Sequence, residues 1–282
     1  MQENHKYNIY MFIATIFFGM TYVLTKICLN YSTELHIISF RFLIAFIVSL
    51  IFLHKKIFPV KRREFFDSLL LGGLLFLVFI TMTIGVKYTT ATNASFLISL
   101  SVIFIPFFSW IFNKEKLKKN IFVVIFIALI GIILLTLDKN LQFHIGDILC
   151  LICAILFTFH VILTERIVKN NNPVALSVLQ FAWVSLFSFL IQYPIENFVI
   201  PKNKIFWLSM VLLGVFCIAF GYIVQIIAQK NLSSTVVGFI LSLEPVFSGI
   251  FGYFFLNEYL SFQQYIGAFL LLISVIYVSV KN

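Results

Sequence analysis

Charge is what this 282-residue sequence has little of: only 11% of it is Asp, Glu, Lys or Arg, against about a quarter in an ordinary soluble domain. Twenty basic and eleven acidic residues cannot coat the two globular domains that such a length suggests. A soluble protein is thereby excluded. There is no hydrophilic stretch long enough for a separate domain and no glycine-rich phosphate loop, so the chain carries no ATP-driven motor. The net charge of +9 lies in short clusters between apolar runs, not along one soluble face, which excludes a nucleic-acid interface. Cysteine is scarce as well. Cys28, Cys150, Cys153 and Cys217 sit inside or at the edge of apolar runs, where no disulfide framework is available. The Cys150-x-x-Cys153 pair lacks the polar setting that redox or zinc chemistry needs, and all four thiols read as small hydrophobes. The five histidines, His5, His36, His54, His144 and His160, are scattered and form no metal motif, so no cofactor is expected.

What the sequence has in abundance is apolar length: 61% of residues are hydrophobic, thirty-six of them Phe. A bilayer core of about 30 Å needs about 20 apolar helical residues, and continuous runs without two-residue alternation select helices over a barrel. Ten spans are expected: Ile9–Leu29, Leu35–Leu53, Ser68–Val86, Ala91–Phe112, Ile121–Leu137, Gly146–Leu163, Val174–Tyr193, Ile205–Ala228, Ser233–Leu256 and Phe262–Val280. The first run lacks a cleavage site after it and is expected to stay attached. With the N-terminus in the cytoplasm, the inner segments hold Lys6, the Lys55–Arg63 and Lys114–Lys119 clusters, Arg166, Lys169, Lys230 and Lys281. The outer segments hold only Lys26, Lys87, Lys139, Lys202 and Lys204, so the positive-inside rule puts both termini in the cytoplasm.

An offset of 143 aligns Lys87–Leu117 with Lys230–Leu260: Lys87 meets Lys230, Thr92 meets Thr235, Phe96 meets Phe239, Ser99-Leu100 meets Ser242-Leu243, and Glu115-x-Leu117 meets Glu258-x-Leu260. Matches at charged ends are not what two random apolar runs produce. The chain reads as a duplication, residues 1–138 and 146–280, joined near Asp138–Gly146. Five spans is an odd number, so the second copy is inverted relative to the first. The fold expected is an all-α integral membrane protein of ten transmembrane helices in two inverted five-helix repeats, an arrangement that places a binding site near the midplane between halves.

The stretches Phe17–Lys26 (FFGMTYVLTK), Phe40–Phe46 (FRFLIAF), Ile145–Ile162 (IGDILCLICAILFTFHVI) and Leu241–Leu272 resemble the EamA family of the drug/metabolite transporter superfamily, and the resemblance covers nearly the whole chain. It departs from the family pattern in carrying Phe18-Gly19 where a Trp-Gly pair is common. Span four has Val102 where the second repeat has Pro245, with Pro106 about one turn on. The resemblance implies a ten-helix exporter or importer of amino acids, related metabolites or small drugs. The function expected is a secondary transporter, an exporter of a small organic metabolite, working by alternating access in the cytoplasmic membrane. Its partners are the small-molecule substrate and the lipid bilayer. Energy would come from protons, from exchange or from the substrate's own gradient. Nutrient uptake by the same fold and a membrane-embedded enzyme on a lipid-linked substrate are the alternatives, and monomer and dimer are equally open. Abundant Phe, Ile, Lys and Asn, with AT-rich codons, point to a bacterial source.

Glu244 is the most informative residue. It falls near the middle of span nine, where an acidic side chain costs from about 3 kcal/mol upward, and Pro245 beside it removes a helical hydrogen bond. It reads equally as a protonatable or cation-binding site at a helix break and as a carboxyl paired with a buried donor that locks packing. Tyr222, Gln225 and Gln229 share one face of span eight, suited to lining a cavity or to bonding between helices. Thr21, Tyr22, Thr81, Ser99, Ser101, Thr158 and Ser242 are further midplane candidates, each of which can instead bond its own backbone. His160 reads as an interfacial histidine or a pH-responsive one. Arg41, about two turns into span two, is expected to snorkel to the headgroups or to be held in a fixed pairing.

Overall fold

The structure is a computed structural model and describes residues 2–113, 119–136, 145–195, 200–259 and 261–281. Among the described residues every regular element is helical. The first half holds α1 (Gln2–Cys28), α2 (Glu34–Ile57), α3 (Arg62–Tyr88), α4 (Ala91–Ser99), α5 (Ser101–Asn113) and α6 (Lys119–Thr136). The second holds α7 (Ile145–Val168), α8 (Pro173–Ile195), α9 (Lys204–Leu212), α10 (Gly221–Gln229), α11 (Ser234–Leu241), α12 (Glu244–Leu256) and α13 (Phe262–Lys281). Between α9 and α10 the same rod continues as a π-helix over Leu213–Phe220, which the apolar pattern of span eight does not announce. Within the described residues eight stretches are long and apolar enough to cross a membrane. The two other expected spans correspond to α6 and α13, which pack against each other. Glu115, Leu117, Leu260 and the expected join from Asp138 to His144 lie outside the described residues.

The outward faces are apolar: Phe52, Phe66, Phe126, Leu190, Phe254 and Phe269 are among the large side chains left exposed. In water such a surface would be a liability; in a bilayer it is the solvent contact. The interior is the more polar side, with Thr15, Arg41, Thr83, Thr158, Gln180 and Gln225 fully buried. Polar ties close both ends of the bundle. At one end Lys26 Nζ donates to the carbonyls of Val86 (2.7 Å) and Thr89 (2.6 Å) at the close of α3, and Lys87 pairs with Glu34 at 2.6 Å. At the other, Glu64 accepts from the Lys61 and Asn172 amides at 2.9 and 3.1 Å, and Asn171 Nδ2 donates to Asp67 at 2.7 Å.

Two rods are broken in the middle, in the same way. α4 passes to α5 through Leu100, whose amide bonds Leu97 O (3.2 Å) and whose carbonyl accepts from Ile103 (3.0 Å). α11 passes to α12 through Leu243, whose amide bonds Ile240 O (3.2 Å) and whose carbonyl accepts from Val246 (3.0 Å). Each break is a three-residue turn that keeps backbone groups satisfied where no water can. At the second break Pro245 occupies the first turn of α12, where its missing amide proton costs nothing.

α12 is seated on α1 through Gly19. A Cβ there would come within 2.6 Å of Phe247 Cβ and 2.9 Å of the Glu244 carbonyl oxygen. Small residues let membrane helices approach this closely. Gly19→Ala is therefore expected to destabilise the bundle by about 1–3 kcal/mol, the usual cost of overpacking, despite alanine's better helix propensity. The thermal unfolding midpoint of the detergent-solubilised protein measures this; an unchanged or raised midpoint refutes the close approach.

Candidate functional site

The Gly19 contact and the α11–α12 break together bring Glu244 to the centre of the bundle. Its side chain enters a cavity lined by Phe18, Thr21 and Tyr22 of α1, Val78, Phe79 and Met82 of α3, Ile98 of α4, Cys153 and Phe157 of α7, and Tyr222 of α10. The Tyr22 hydroxyl donates to Glu244 Oε2 at 2.9 Å. That bond joins the first helix of the chain to the second broken rod. The cavity measures about 30 Å³, room for a water molecule or two and not for a metabolite.

Five of its eleven lining residues are aromatic. Tyr222 meets Phe18 edge-on at 5.2 Å between ring centroids and lies 5.8 Å from Phe79, which in turn meets Phe42 at 4.7 Å. A carboxyl group set among aromatic faces can hold a proton or an organic cation, because both groups favour positive charge. Among the described residues no group of three His, Cys, Asp or Glu is placed to hold a metal ion.

The structure gathers four of the expected site residues around this cavity: Thr21, Tyr22, Tyr222 and Glu244. The others stand outside its lining. Ser99 and Ser242 bond back to Ser95 O (2.8 Å) and Phe239 O (2.7 Å), and Thr158 to Ala154 O (2.8 Å). Gln225 Nε2 donates to Gln229 Oε1 at 3.5 Å, and Gln229 Nε2 reaches across to Val161 O at 2.8 Å, tying α10 to α7. His160 is not interfacial. It is wholly buried behind Tyr222, with Nε2 3.2 Å from Gln180 Oε1, because α8 and α10 cover the face of α7 that carries it. Arg41 does not snorkel either: it is fully buried and points inward, where Thr25 and Thr83 accept from its guanidinium. Val78, Phe79, Met82, Ile98, Cys153 and Phe157 are cavity residues that sequence reasoning passes over, since apolar side chains facing a cavity and facing lipid look alike.

The separation between cavity hydroxyls and back-bonded ones has a measurable consequence. Tyr22→Phe is expected to lose about 1 kcal/mol with its hydrogen bond, whereas Ser242→Ala stays within about 0.5 kcal/mol of wild type. Thermal unfolding in detergent compares the two; equal shifts would mean that the Tyr22–Glu244 bond contributes nothing.

Comparison with known proteins follows the same outline. The model of the EamA-like transporter family matches residues 5–137 and 144–280. An uncharacterized transporter of Archaeoglobus fulgidus is 31% identical over 272 residues, covering 95% of this chain and 84% of its own. The uncharacterized transporter YyaM of Bacillus subtilis is 24% identical, covering 95% and 92%. A solved crystal structure superposes with a TM-score of 0.79 at 17% identity, over 98% of this chain and 96% of that one, a likeness of fold.

Proposed function

Because the chain belongs to the EamA-like transporter family and is a multi-pass membrane transporter, we propose that it exports a small organic metabolite across the cytoplasmic membrane of a bacterial cell by alternating access, with Glu244 as the residue that binds the coupling proton or a cationic group of the solute. The observation that carries this reading is the position of Glu244, in a small central cavity at the break of a rod, where it accepts a hydrogen bond from Tyr22. A carboxyl group there is costly unless it has work to do or a permanent partner. One tyrosine hydroxyl, itself in the cavity wall, is a partner that a solute or proton can displace.

Ten spans in two inverted repeats are the frame for this mechanism, and the packing supports them. Under the 143-residue offset α2 corresponds to α8, α6 to α13, and α4–α5 to α11–α12, and each of these elements packs against its own counterpart. The contact of α3 with α7 is matched by that of the α9–α10 rod with α1. The two breaks, at Leu100 and Leu243, are 143 residues apart in sequence and alike in hydrogen bonding. The cavity draws on three rods of each half, and those of the first correspond to those of the second. Such a pseudo-twofold centre opens to either face by rocking one half against the other.

Two experiments test this. Glu244→Gln keeps the volume and removes the charge, so it should insert and accumulate as wild type while transport falls at least tenfold; normal transport by a normally folded variant removes Glu244 from the mechanism. Transport is read by profiling metabolites in cells and medium with and without the protein, where export predicts a solute enriched in the medium. For the topology, reporter fusions after Asn282 and within Pro194–Lys204 should give opposite signals, cytoplasmic for the first. Equal signals would sink the inverted repeat.

A further inference from the structure

Two of the faces that line the central cavity turn polar toward the end of the bundle that holds Glu64 and Asp67. On α7 the face of Cys153 and Phe157 continues with His160 and Thr164, and on α10 the face of Tyr222 continues with Gln225 and Gln229. α8 adds Gln180. These five polar side chains are fully buried. The contact of His160 with Gln180 and the bond from Gln229 to Val161 O hold the three helices at one depth. The His160 ring meets that of Tyr222 at 6.2 Å between centroids, so the cluster begins directly behind the cavity wall.

Four polar atoms of this cluster have no partner: His160 Nδ1, Thr164 Oγ1, Gln180 Nε2 and Gln225 Oε1. Native interiors rarely leave such atoms unbonded. Packing does not demand them either. Under the 143-residue offset Tyr222, Gln225 and Gln229 correspond to Phe79, Met82 and Val86 of α3, which are also buried. The other half thus fills the matching face with apolar side chains, and the polarity belongs to one side of the cavity. The composition of the set names its ligand. With Gln180 Oε1 accepting, His160 Nε2 donates and Nδ1 is left as an acceptor, as is Gln225 Oε1. Gln180 Nε2 is a donor, and the Thr164 hydroxyl is both. The set includes no carboxylate, Lys or Arg, so it matches neither a metal ion nor an anion. Water, which donates twice and accepts twice, fits it.

We propose that α7, α8 and α10 bind water behind Tyr222, and that this water carries protons between the cytoplasm and Glu244. The inference rests on the reading of Glu244 as a proton carrier and on the topology given above, and adds the route. Next to Thr164, Glu165 pairs with Lys169 at 3.1 Å, and the Lys169 side chain is exposed, so the polar column reaches the aqueous face. At its other end the cavity has room for a water or two; the titratable groups that share it with Glu244 are Tyr22, Cys153 and Tyr222, and Arg41 lies beyond the Phe79 ring. One proton leaves a hydronium ion on the cytoplasmic side, each water passes on a proton as it takes one, and the last O–H bond forms on the Glu244 carboxylate. No other reactant enters.

The test uses the full-length protein in lipid vesicles, heavy water as the probe and infrared spectroscopy as the readout. The Glu244 signal is the carboxylic-acid C=O band that Glu244→Gln removes, and its shift on transfer to heavy water times the exchange of that proton. Gln225→Met installs the residue that the other half carries at the matching position. It should slow the exchange at least tenfold while the thermal unfolding midpoint and the exchange of the backbone amides stay as in wild type. A smaller slowing, or an equal slowing of the amides, overturns the inference and leaves the transport reading standing. If Gln225→Met fails to accumulate, Thr164→Val decides by the same readout; if neither accumulates, the polar atoms serve the fold and the proposal falls. Absence of a carboxylic-acid band that depends on Glu244 removes the proton reading of Glu244 and this route with it.

Discussion

The hydrogen bond from Tyr22 to Glu244 stands where the bilayer is least forgiving, and the arrangement around it follows from that constraint. A carboxyl group at mid-membrane has to face protein, water or solute. The rod that carries it breaks because an unbroken α-helix through Glu244-Pro245 would clash with the carbonyl four residues back. The break divides α11 from α12, and α12 is then free to lean on α1 at Gly19, which brings Tyr22 within 2.9 Å of the carboxyl. Without Gly19 a Cβ would meet Phe247 and the Glu244 carbonyl and force the two helices apart.

Much of this was legible from the residues alone because hydrocarbon is an exacting solvent. Continuous apolar runs mark the spans, and the helices found at α1, α2, α3, α7 and α8 overlap the expected ranges, with ends that run further into the polar loops except at the close of α1, where Cys28 stops one residue short of Leu29. Proline after a mid-span glutamate marks the break at Leu243. The matching break at Leu100 has no such mark, because the proline of that rod, Pro106, lies six residues further on, inside α5. The π-helical stretch at Leu213–Phe220 left no mark, since a change of one residue per turn alters neither composition nor apolar length.

The residues that were misplaced share a cause. The snorkelling reading of Arg41 and the interfacial reading of His160 both rest on distance from a span's end, a one-dimensional measure, whereas the alternative for Arg41, a fixed pairing, agrees with its bonds to Thr25 and Thr83. What decides burial is which neighbours cover the face on which a side chain sits. Thr25 and Thr83 approach Arg41 from two other helices, and Gln180 approaches His160 from α8. None of these pairings has a sequence signature. The cavity wall fails for the opposite reason: in α3, Val78, Phe79 and Met82 face the cavity while Leu70 and Leu77 face outward, and a helix apolar on every side gives periodicity nothing to detect.

The two broken rods also have their starts held, each by a carboxylate from another element. Glu258, turned back where Asn257 ends α12 in the left-handed conformation, accepts from the Ala91 and Thr92 amides (3.2 and 3.1 Å) and from the Thr92 hydroxyl. Glu165 of α7 accepts from the Ser234 amide at 2.8 Å and its hydroxyl at 2.5 Å. Ala91 and Ser234 are 143 residues apart, so the corresponding N-terminus is capped in each half. A carboxylate suits a helix start because the exposed amides and the helix dipole both favour negative charge. Each rod is thus fastened at its start and interrupted beside the central cavity, at Leu100 near Ile98 and at Leu243 next to Glu244.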